Sequence, residues 1–213
     1  MDSLQLHFHP GLVRHRAKSW RHQQHMLHLG QGSIDAASGI LCIFMALMAM
    51  GMVSKSQLQV LGFGTDYRLG TTWRRGLESY FIGASETDVL DLLTTLPGIE
   101  VQSLIGPTSR CVEMAQSRLA LNELALLGLA VEVARPIRWV LAVGTELGGG
   151  GSENTATSLL CLDPAESSPR VAPFNTRLCL NSPRRGSRQL HYVTATALLS
   201  PSCGIAIALS KRR

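Results

Sequence analysis

An uninterrupted apolar segment in the first quarter of the chain constrains the fold more than any other feature. Residues Ile40 to Met50 carry no charged or strongly polar side chain, and small and polar residues precede them. Because no side of such a helix would suit water, the segment predicts a helix that is buried all round. It has only about half of the roughly 20 residues that a bilayer requires. We therefore expect a buried central helix and no membrane span.

Length and composition point to one compact unit. The chain has 213 residues, of which 45% are hydrophobic and 16% charged, and this predicts a single domain over residues 1–213. The amino end has no apolar stretch followed by a small-residue cleavage site, so we expect no secretory signal and a cytoplasmic protein. The five cysteines are dispersed and flanked by apolar residues, which indicates reduced, buried thiols.

The order of the predicted elements defines the fold class. Helices dominate residues 1–127, with capped helices expected after Ser54 and Ser85, a strand over Ile99 to Ile105 and a long helix over Ser109 to Leu127. Residues 128–213 alternate short apolar runs with turn residues, which is typical of an antiparallel sheet. The predicted strands are Leu129 to Ala134, Ile137 to Thr145, Ser158 to Leu162, Arg177 to Leu180, His191 to Leu199 and Gly204 to Leu209. Helices followed by strands favour the α+β class.

The net charge of +5 comes from 17 arginines and three lysines. An arginine-rich surface can attract nucleic acid, but the chain has no basic helix interleaved with aromatic residues and no recognised nucleic-acid module. We therefore do not expect a nucleic-acid partner.

Six of the seven histidines lie within residues 1–29. The spacing of His22, His25 and His28 is compatible with a metal site on one helical face. No carboxylate or cysteine lies nearby to complete the ligand set, and a solvated amphipathic helix from about Arg14 to Leu27 explains the pattern equally well. No metal and no cofactor is therefore predicted.

The segment before the central helix carries a chemical motif. Gln31 is followed by six residues, then by Ser38 and Gly39, and then by the apolar run. A side chain at the start of a helix lies over the first turn, where unpaired N–H groups and the helix dipole favour an anion or a thiolate. This pattern resembles the beginning of the papain-like cysteine peptidases, in the bacterial branch close to the peptidases that process double-glycine bacteriocin leaders. The resemblance implies an oxyanion-hole role for Gln31 and puts Ser38 in the nucleophile position, where the family has cysteine.

Two later segments extend the resemblance. The family has a histidine at the start of one strand and an orienting acid at the end of the next, and the corresponding segments here are Arg138 to Gly144 and Leu160 to Pro164. The resemblance therefore implies Arg138 in the base position, where histidine is expected, and Asp163 in the acid position. It also implies a two-lobed fold, with a helical half (1–127) and a sheet half (128–213).

The two replaced residues change the expected chemistry. A serine hydroxyl has no accessible anionic form near neutral pH, and arginine stays protonated and cannot accept its proton. We therefore expect no ordinary acyl transfer from Ser38 and Arg138. Arg138 could instead form an ion pair with Asp163, or it could face solvent at the edge of its strand.

Two other residues compete for the same roles. His191 also begins a predicted strand and is a rival base, although it follows Asp163 in the chain. Cys42 is a rival nucleophile, but it lies one turn inside the apolar helix, where burial blocks access and raises a thiol pKa. A packing role for Cys42 is the stronger interpretation.

Three functional hypotheses follow from these residues. The first is a papain-like protein that is catalytically inactive as written and binds a peptide, a protein segment or a partner subunit. The second is an active cysteine peptidase present as a Cys-to-Ser trapped variant. The third is a non-enzymatic α+β interaction protein. The apolar composition agrees in each case with a partner protein or a homo-oligomer.

Overall fold

The computed structural model describes residues 5–14, 27–32, 35–61, 67–131, 136–148, 156–169, 172–180 and 190–212. The helices in these ranges are α1 (Pro10–Arg14), α2 (Ser38–Ala49), α3 (Lys55–Gln59), α4 (Tyr67–Gly76), which continues into a 3-10 turn (Leu77–Ser79), α5 (Glu86–Thr94) and α6 (Thr108–Ala120). The strands are β1 (Gln5–Phe8), β2 (Ile99–Ile105), β3 (Leu124–Ala130), β4 (Arg138–Leu147), β5 (Ala156–Leu162), β6 (Thr176–Cys179), β7 (His191–Val193), β8 (Leu198–Leu199) and β9 (Ser202–Lys211).

One antiparallel sheet organises the fold. Its strand order is β2-β9-β3-β4-β5-β6-β7-β8, and β1 pairs with the second half of β4. Alternate residues along each strand face opposite sides of the sheet. Trp139, Leu141 and Val143 of β4 pack in the core that contains α2, whereas Val140 and Ala142 pack in the core that contains α6. The protein therefore has helices on both faces of a large sheet, and the predicted α+β class is confirmed at this level.

Helix α2 is buried as predicted. It begins two residues before the apolar run, at Ser38, and each of its residues except the half-buried Leu41 is buried. It ends before Gly51, which has a φ of +68°. Glycine adopts this left-handed conformation without the steric penalty of a side chain, so the helix stops where the chain must turn.

The two predicted caps are present. Ser54 precedes α3 and forms a reciprocal capping box with Gln57, and Ser85 forms one with Asp88 at the start of α5. In each case the serine hydroxyl accepts the N–H of the third helical residue, which satisfies a donor that the helix itself leaves unpaired. The predicted strand Ile99–Ile105 is confirmed as β2.

The predicted helix from Ser109 to Leu127 is wrong in its second half. Helix α6 ends at Ala120, and the chain turns at Asn122, with a φ of +60°, to enter β3 at Leu124. A short apolar run fits a buried strand as well as a buried helix, so its periodicity does not distinguish the two. For the same reason the sequence predicts the start of β3 at Leu129, whereas the strand begins at Leu124. The proposed division after residue 127 consequently falls within this strand.

The strand predicted over His191 to Leu199 is also wrong as a single element. It is two short strands, β7 and β8, which pair with each other across a turn. The hydroxyl of Thr194 accepts the N–H groups of Thr196 and Ala197 and so stabilises that turn. Most of the helix predicted from Arg14 to Leu27, and the glycine-rich tip between β4 and β5, lie outside the described residues.

The sequence predicts that the apolar helix is too short to cross a membrane. No helix in the described part of the chain is long and apolar enough to cross a membrane. This agrees with the short apolar run identified in the sequence.

Candidate functional site

Ser38 lies where α2 meets the sheet. It is the first residue of α2 and is only 4% exposed, and the preceding N-cap residue, Ala37, makes no capping bond through its side chain. Its Oγ accepts a hydrogen bond from the backbone N–H of Trp139, with an N···O distance of 3.1 Å. The indole Nε1 of Trp139 in turn donates to the carbonyl of Ala84 at 2.8 Å. The start of α2 is thus fixed to the first residues of β4, next to Arg138.

Arg138 forms an ion pair with Asp163, which is one of the two alternatives that the sequence left open. Its Nε and Nη2 lie 2.7 and 2.6 Å from Oδ2 of Asp163, and Nη2 also donates to Oε1 of Glu166 at 2.9 Å. The Arg138 side chain is 23% exposed, whereas that of Asp163 is fully buried. A guanidinium that bonds a buried carboxylate in this way holds its position far more firmly than a surface pair does. The alternative of a solvent-facing Arg138 is therefore wrong.

The carboxylate of Asp163 has further donors. The hydroxyl of Tyr192 donates to Oδ2 at 2.5 Å, and the N–H of Ala165 donates to Oδ1 at 2.8 Å. The amide of Asn175 accepts the Asp163 N–H and donates to its carbonyl, and Nε2 of His28 lies 2.9 Å from the same carbonyl. Nε2 of His28 also lies 3.1 Å from Nδ2 of Asn175. The bonds from Arg138, Tyr192 and Ala165 satisfy a carboxylate that would otherwise be costly to bury.

The charges around Asp163 determine which groups keep their protons. Burial by itself lowers the pKa of Arg138, but Asp163, Tyr192 and the hydrogen bonds to Asp163 and Glu166 act the other way and leave the pKa raised. Burial and the Asp163 carboxylate also raise the pKa of Tyr192 well above its ordinary value. Arg138 therefore remains a cation and Tyr192 a hydrogen-bond donor, so neither can accept a proton from Ser38.

Gln31 lies beside the same turn but makes different bonds from those expected. Its backbone N–H donates to the carbonyl of Pro164 at 2.7 Å, which joins it to the residue after Asp163. Its side-chain Nε2 donates to the carbonyl of Asp35 at 2.8 Å. The buried Oε1 has no hydrogen-bond donor among the described residues. The described hydrogen bonds therefore link Gln31 to the Asp163 turn through its backbone and do not link its amide to Ser38.

His191 does not join this network. It begins β7 as expected, but its buried Nδ1 has no hydrogen-bond partner in the described part of the chain. The next residue, Tyr192, reaches Asp163 instead, because successive residues of a strand point to opposite faces. The guanidinium of Arg138 also lies 5.5 Å from the centre of the Tyr192 ring, close enough for a cation–π contact.

Cys42 has the predicted packing role. It is fully buried, and its Sγ lies 3.4 Å from the carbonyl oxygen of Trp139. Burial, followed by the Asp163 carboxylate, raises the pKa of this thiol well above its ordinary value. A thiol in this environment stays protonated and unreactive.

The sequence indicates Ser38, Arg138 and Asp163 but gives no sign that Tyr192, Asn175, His28 and Glu166 belong to the same site. Three of these residues are remote from Asp163 in sequence, and only the folded sheet and the turn after β5 bring them to it. The His-Tyr-Val segment was a usable signal for Tyr192, although it drew attention to His191. Among the described residues no group of three or more histidine, cysteine or acidic side chains could hold a metal ion.

No protein-family model matches this chain, and no curated protein sequence matches it.

Proposed function

We propose that this chain is a papain-like protein that has lost peptidase chemistry and binds a peptide or a partner protein next to Ser38. One observation carries the proposal. Ser38 begins a buried helix, and its hydroxyl bonds to β4 beside Arg138, which in turn forms an ion pair with Asp163 at the end of β5. The resemblance assigns the nucleophile, the base and the acid to these three positions, and helix before sheet is also the order of that family.

The bonds around Ser38 support the loss of activity. Its Oγ accepts an N–H from Trp139, whereas a nucleophilic serine needs a neighbour that accepts its proton. The adjacent Arg138 is a protonated cation held by Asp163 and Glu166. An ion pair thus replaces the imidazole–carboxylate couple of a peptidase, and its role is to hold β4 to the turn after β5, beside the start of α2.

Restoring the two replaced residues tests the proposal. In the double variant Ser38→Cys/Arg138→His, Asp163 is in place to orient the introduced imidazole, and the start of α2 favours the thiolate. We expect the introduced thiol to react with iodoacetamide at pH 6.5 about tenfold faster than in Ser38→Cys alone, because a thiol pKa lowered by about one unit gives about ten times more thiolate. Peptide mass spectrometry follows position 38 separately from the five native thiols.

The single variant Ser38→Cys serves as the matched control, and circular dichroism is used to check that each variant is folded. Equal labelling rates in the folded single and double variants would contradict the papain-like arrangement and favour the hypothesis of a non-enzymatic α+β interaction protein.

The trapped-peptidase hypothesis predicts a different result. Under it, Ser38→Cys alone, with Arg138 retained, hydrolyses a mixed peptide library, and another group must then act as the base. Hydrolysis by the natural chain that Ser38→Ala abolishes would reject the inactive assignment outright. We expect neither Ser38→Cys nor the natural chain to cleave the library, because no proton acceptor among the described residues bonds to Ser38.

A further inference from the structure

Two large apolar side chains are exposed close to the start of α2. Phe81 is 67% exposed and Ile82 is 76% exposed, and they lie in the turn between α4 and α5. A single exposed apolar residue is ordinary, but two adjacent ones at the tip of a turn form a contact surface that water solvates poorly. Phe81 packs edge-on against the ring of Tyr80, with 5.2 Å between the ring centres.

The turn is firmly attached to the segment that leads to Ser38. The carbonyl of Tyr80 accepts the N–H of Ala36 at 2.7 Å, and the Tyr80 hydroxyl donates to Asp35 at 3.3 Å. Gly83 has a φ of +87°, and its N–H donates to the carbonyl of Ser79 at 2.9 Å. These bonds hold the exposed pair in one position before anything binds, which lowers the entropy lost on binding.

An acidic hollow of about 600 Å³ opens beside this turn. Ile82 forms part of its wall, together with three carboxylates and one guanidinium, those of Glu78, Asp88, Asp91 and Arg75. The hollow thus carries an excess of negative charge on a chain whose net charge is +5. A negative surface on a positively charged protein favours a positively charged partner over a negatively charged one.

We propose that the acidic hollow and the Phe81–Ile82 pair together dock a peptide segment in which a lysine or arginine adjoins an apolar residue. The cation occupies the hollow against Glu78 and Asp91, and the apolar side chain packs on Ile82. An acidic peptide or a nucleic acid would be repelled by the hollow. This docking surface specifies the chemistry of the partner named in the proposed function. It rests on the proposed function only in placing Ser38 beside the bound segment.

A set of labelled peptides tests the inference on the full-length protein. The probes are fluorescein-labelled ten-residue peptides of alternating Lys and Leu, alternating Glu and Leu, and alternating Lys and Ser, followed by fluorescence anisotropy. We expect saturable binding of the Lys/Leu peptide only. A protein of net charge +5 does not attract a cationic peptide non-specifically, so such binding has to come from a local acidic surface.

Variants locate the binding surface. Ile82→Ser should weaken binding of the Lys/Leu peptide about tenfold through lost apolar burial. Glu78→Gln/Asp91→Asn should weaken it about fivefold and reduce its dependence on salt. The matched controls are Leu198→Ser, which changes another exposed aliphatic side chain, on β8, and Glu113→Gln on the exposed side of α6. Both controls should bind the peptide as the natural chain does.

Other results would overturn the inference. Absence of binding, equal binding of all three peptides, or equal losses in the control variants would each reject it. Self-association that Ile82→Ser abolishes, measured by sedimentation velocity, would show that a second copy occupies the surface instead. These outcomes are separate from the iodoacetamide test: peptide docking without an activated thiol would retain the docking surface and reject the papain-like assignment.

Discussion

Helices α2 and α6 pack on opposite faces of the same sheet, yet they are held there in different ways. Eleven residues of α2 are buried, whereas α6 buries Cys111, Val112, Ala115 and Leu119 and exposes much of the rest. The less buried side of α6 carries Arg118, whose side chain is 29% exposed and pairs with that of Glu123, which is 21% exposed. Helix α6 is thus an ordinary amphipathic helix whose own pattern orients it.

A helix that is apolar all round has no such pattern to fix its rotation or its depth. For α2 the fixed points are at its first turn, where the Ser38 hydroxyl bonds to β4 and Gly39 packs against Ala84, Val89 and Trp139. The Arg138–Asp163 pair lies at the same end of the molecule. The polar contacts near Ser38 therefore position the apolar helix on the sheet.

The largest expected effect on stability distinguishes the Arg138–Asp163 pair from the Arg118–Glu123 pair. Arg138→Met leaves the buried Asp163 carboxylate without its cation, and we expect the free energy of unfolding to fall by about 3–5 kcal/mol. Arg118→Met removes one partner of a pair in which both side chains reach solvent, and it should lower the free energy of unfolding by at most about 1 kcal/mol. Urea denaturation measured by circular dichroism compares them. Similar small losses in both variants would show that the Arg138 pair does not help to fix α2.

A smaller effect separates two glycines. A Cβ added at Gly39 would lie 2.9 Å from the Ala84 side chain and 3.2 Å from Val89, whereas one added at Gly106, before α6, meets no atom within 4 Å. We expect Gly39→Ala to lower the free energy of unfolding by about 1–3 kcal/mol through overpacking. Gly106→Ala should change it by less than about 0.5 kcal/mol. A Gly39→Ala variant as stable as the natural chain would mean that the start of α2 is loosely packed.

Buried thiols on both faces of the sheet give the smallest effect on stability at neutral pH, because the loss that they cause begins only at alkaline pH. Burial raises the pKa of Cys42, in α2, and raises that of Cys203, beside α6, from 9.0 to about 12. A pKa that is higher in the folded chain means that unfolding releases protons at alkaline pH. The thiols therefore contribute their full stability below about pH 9 and lose it progressively as the pH rises towards 12.

Urea denaturation at pH 7 and at pH 10.5 measures this loss. Each variant is compared with its own stability at pH 7, which removes the packing effect of the substitution. The alkaline loss should be smaller in Cys203→Ala than in the natural chain. An identical loss in both would show that Cys203 does not contribute to it.

The parts of the site that the sequence predicted were those whose chemistry is local. A small polar residue before an apolar run predicts the start of a helix, so Ser38 was found without knowledge of the fold. The resemblance implied Arg138 and Asp163, because the family has its base at the start of one strand and its acid at the end of the next. The role of Tyr192 could not be predicted, because which residue of the His191–Tyr192 pair faces Asp163 depends on the pairing register of β6 and β7.

The fold shows the same limit at residues 124–127. Their apolar side chains are required for burial in either conformation, so local periodicity gave a helix where the chain forms the central strand β3. Asn122 ends the preceding helix in a left-handed conformation, which asparagine tolerates better than most residues. That signal was present in the sequence, but the apolar run on either side of it outweighed it.

The sequence by itself determined that a buried apolar helix begins at Ser38, that capped helices follow it, and that the chain is α+β. It did so because caps and apolar runs act over a few residues. Only the tertiary structure decided that Arg138 binds Asp163 and Glu166, that Gln31 bonds to Pro164, and that helices cover both faces of the sheet. These contacts join residues far apart in the chain, and their formation depends on strand order and register, which short-range patterns do not encode.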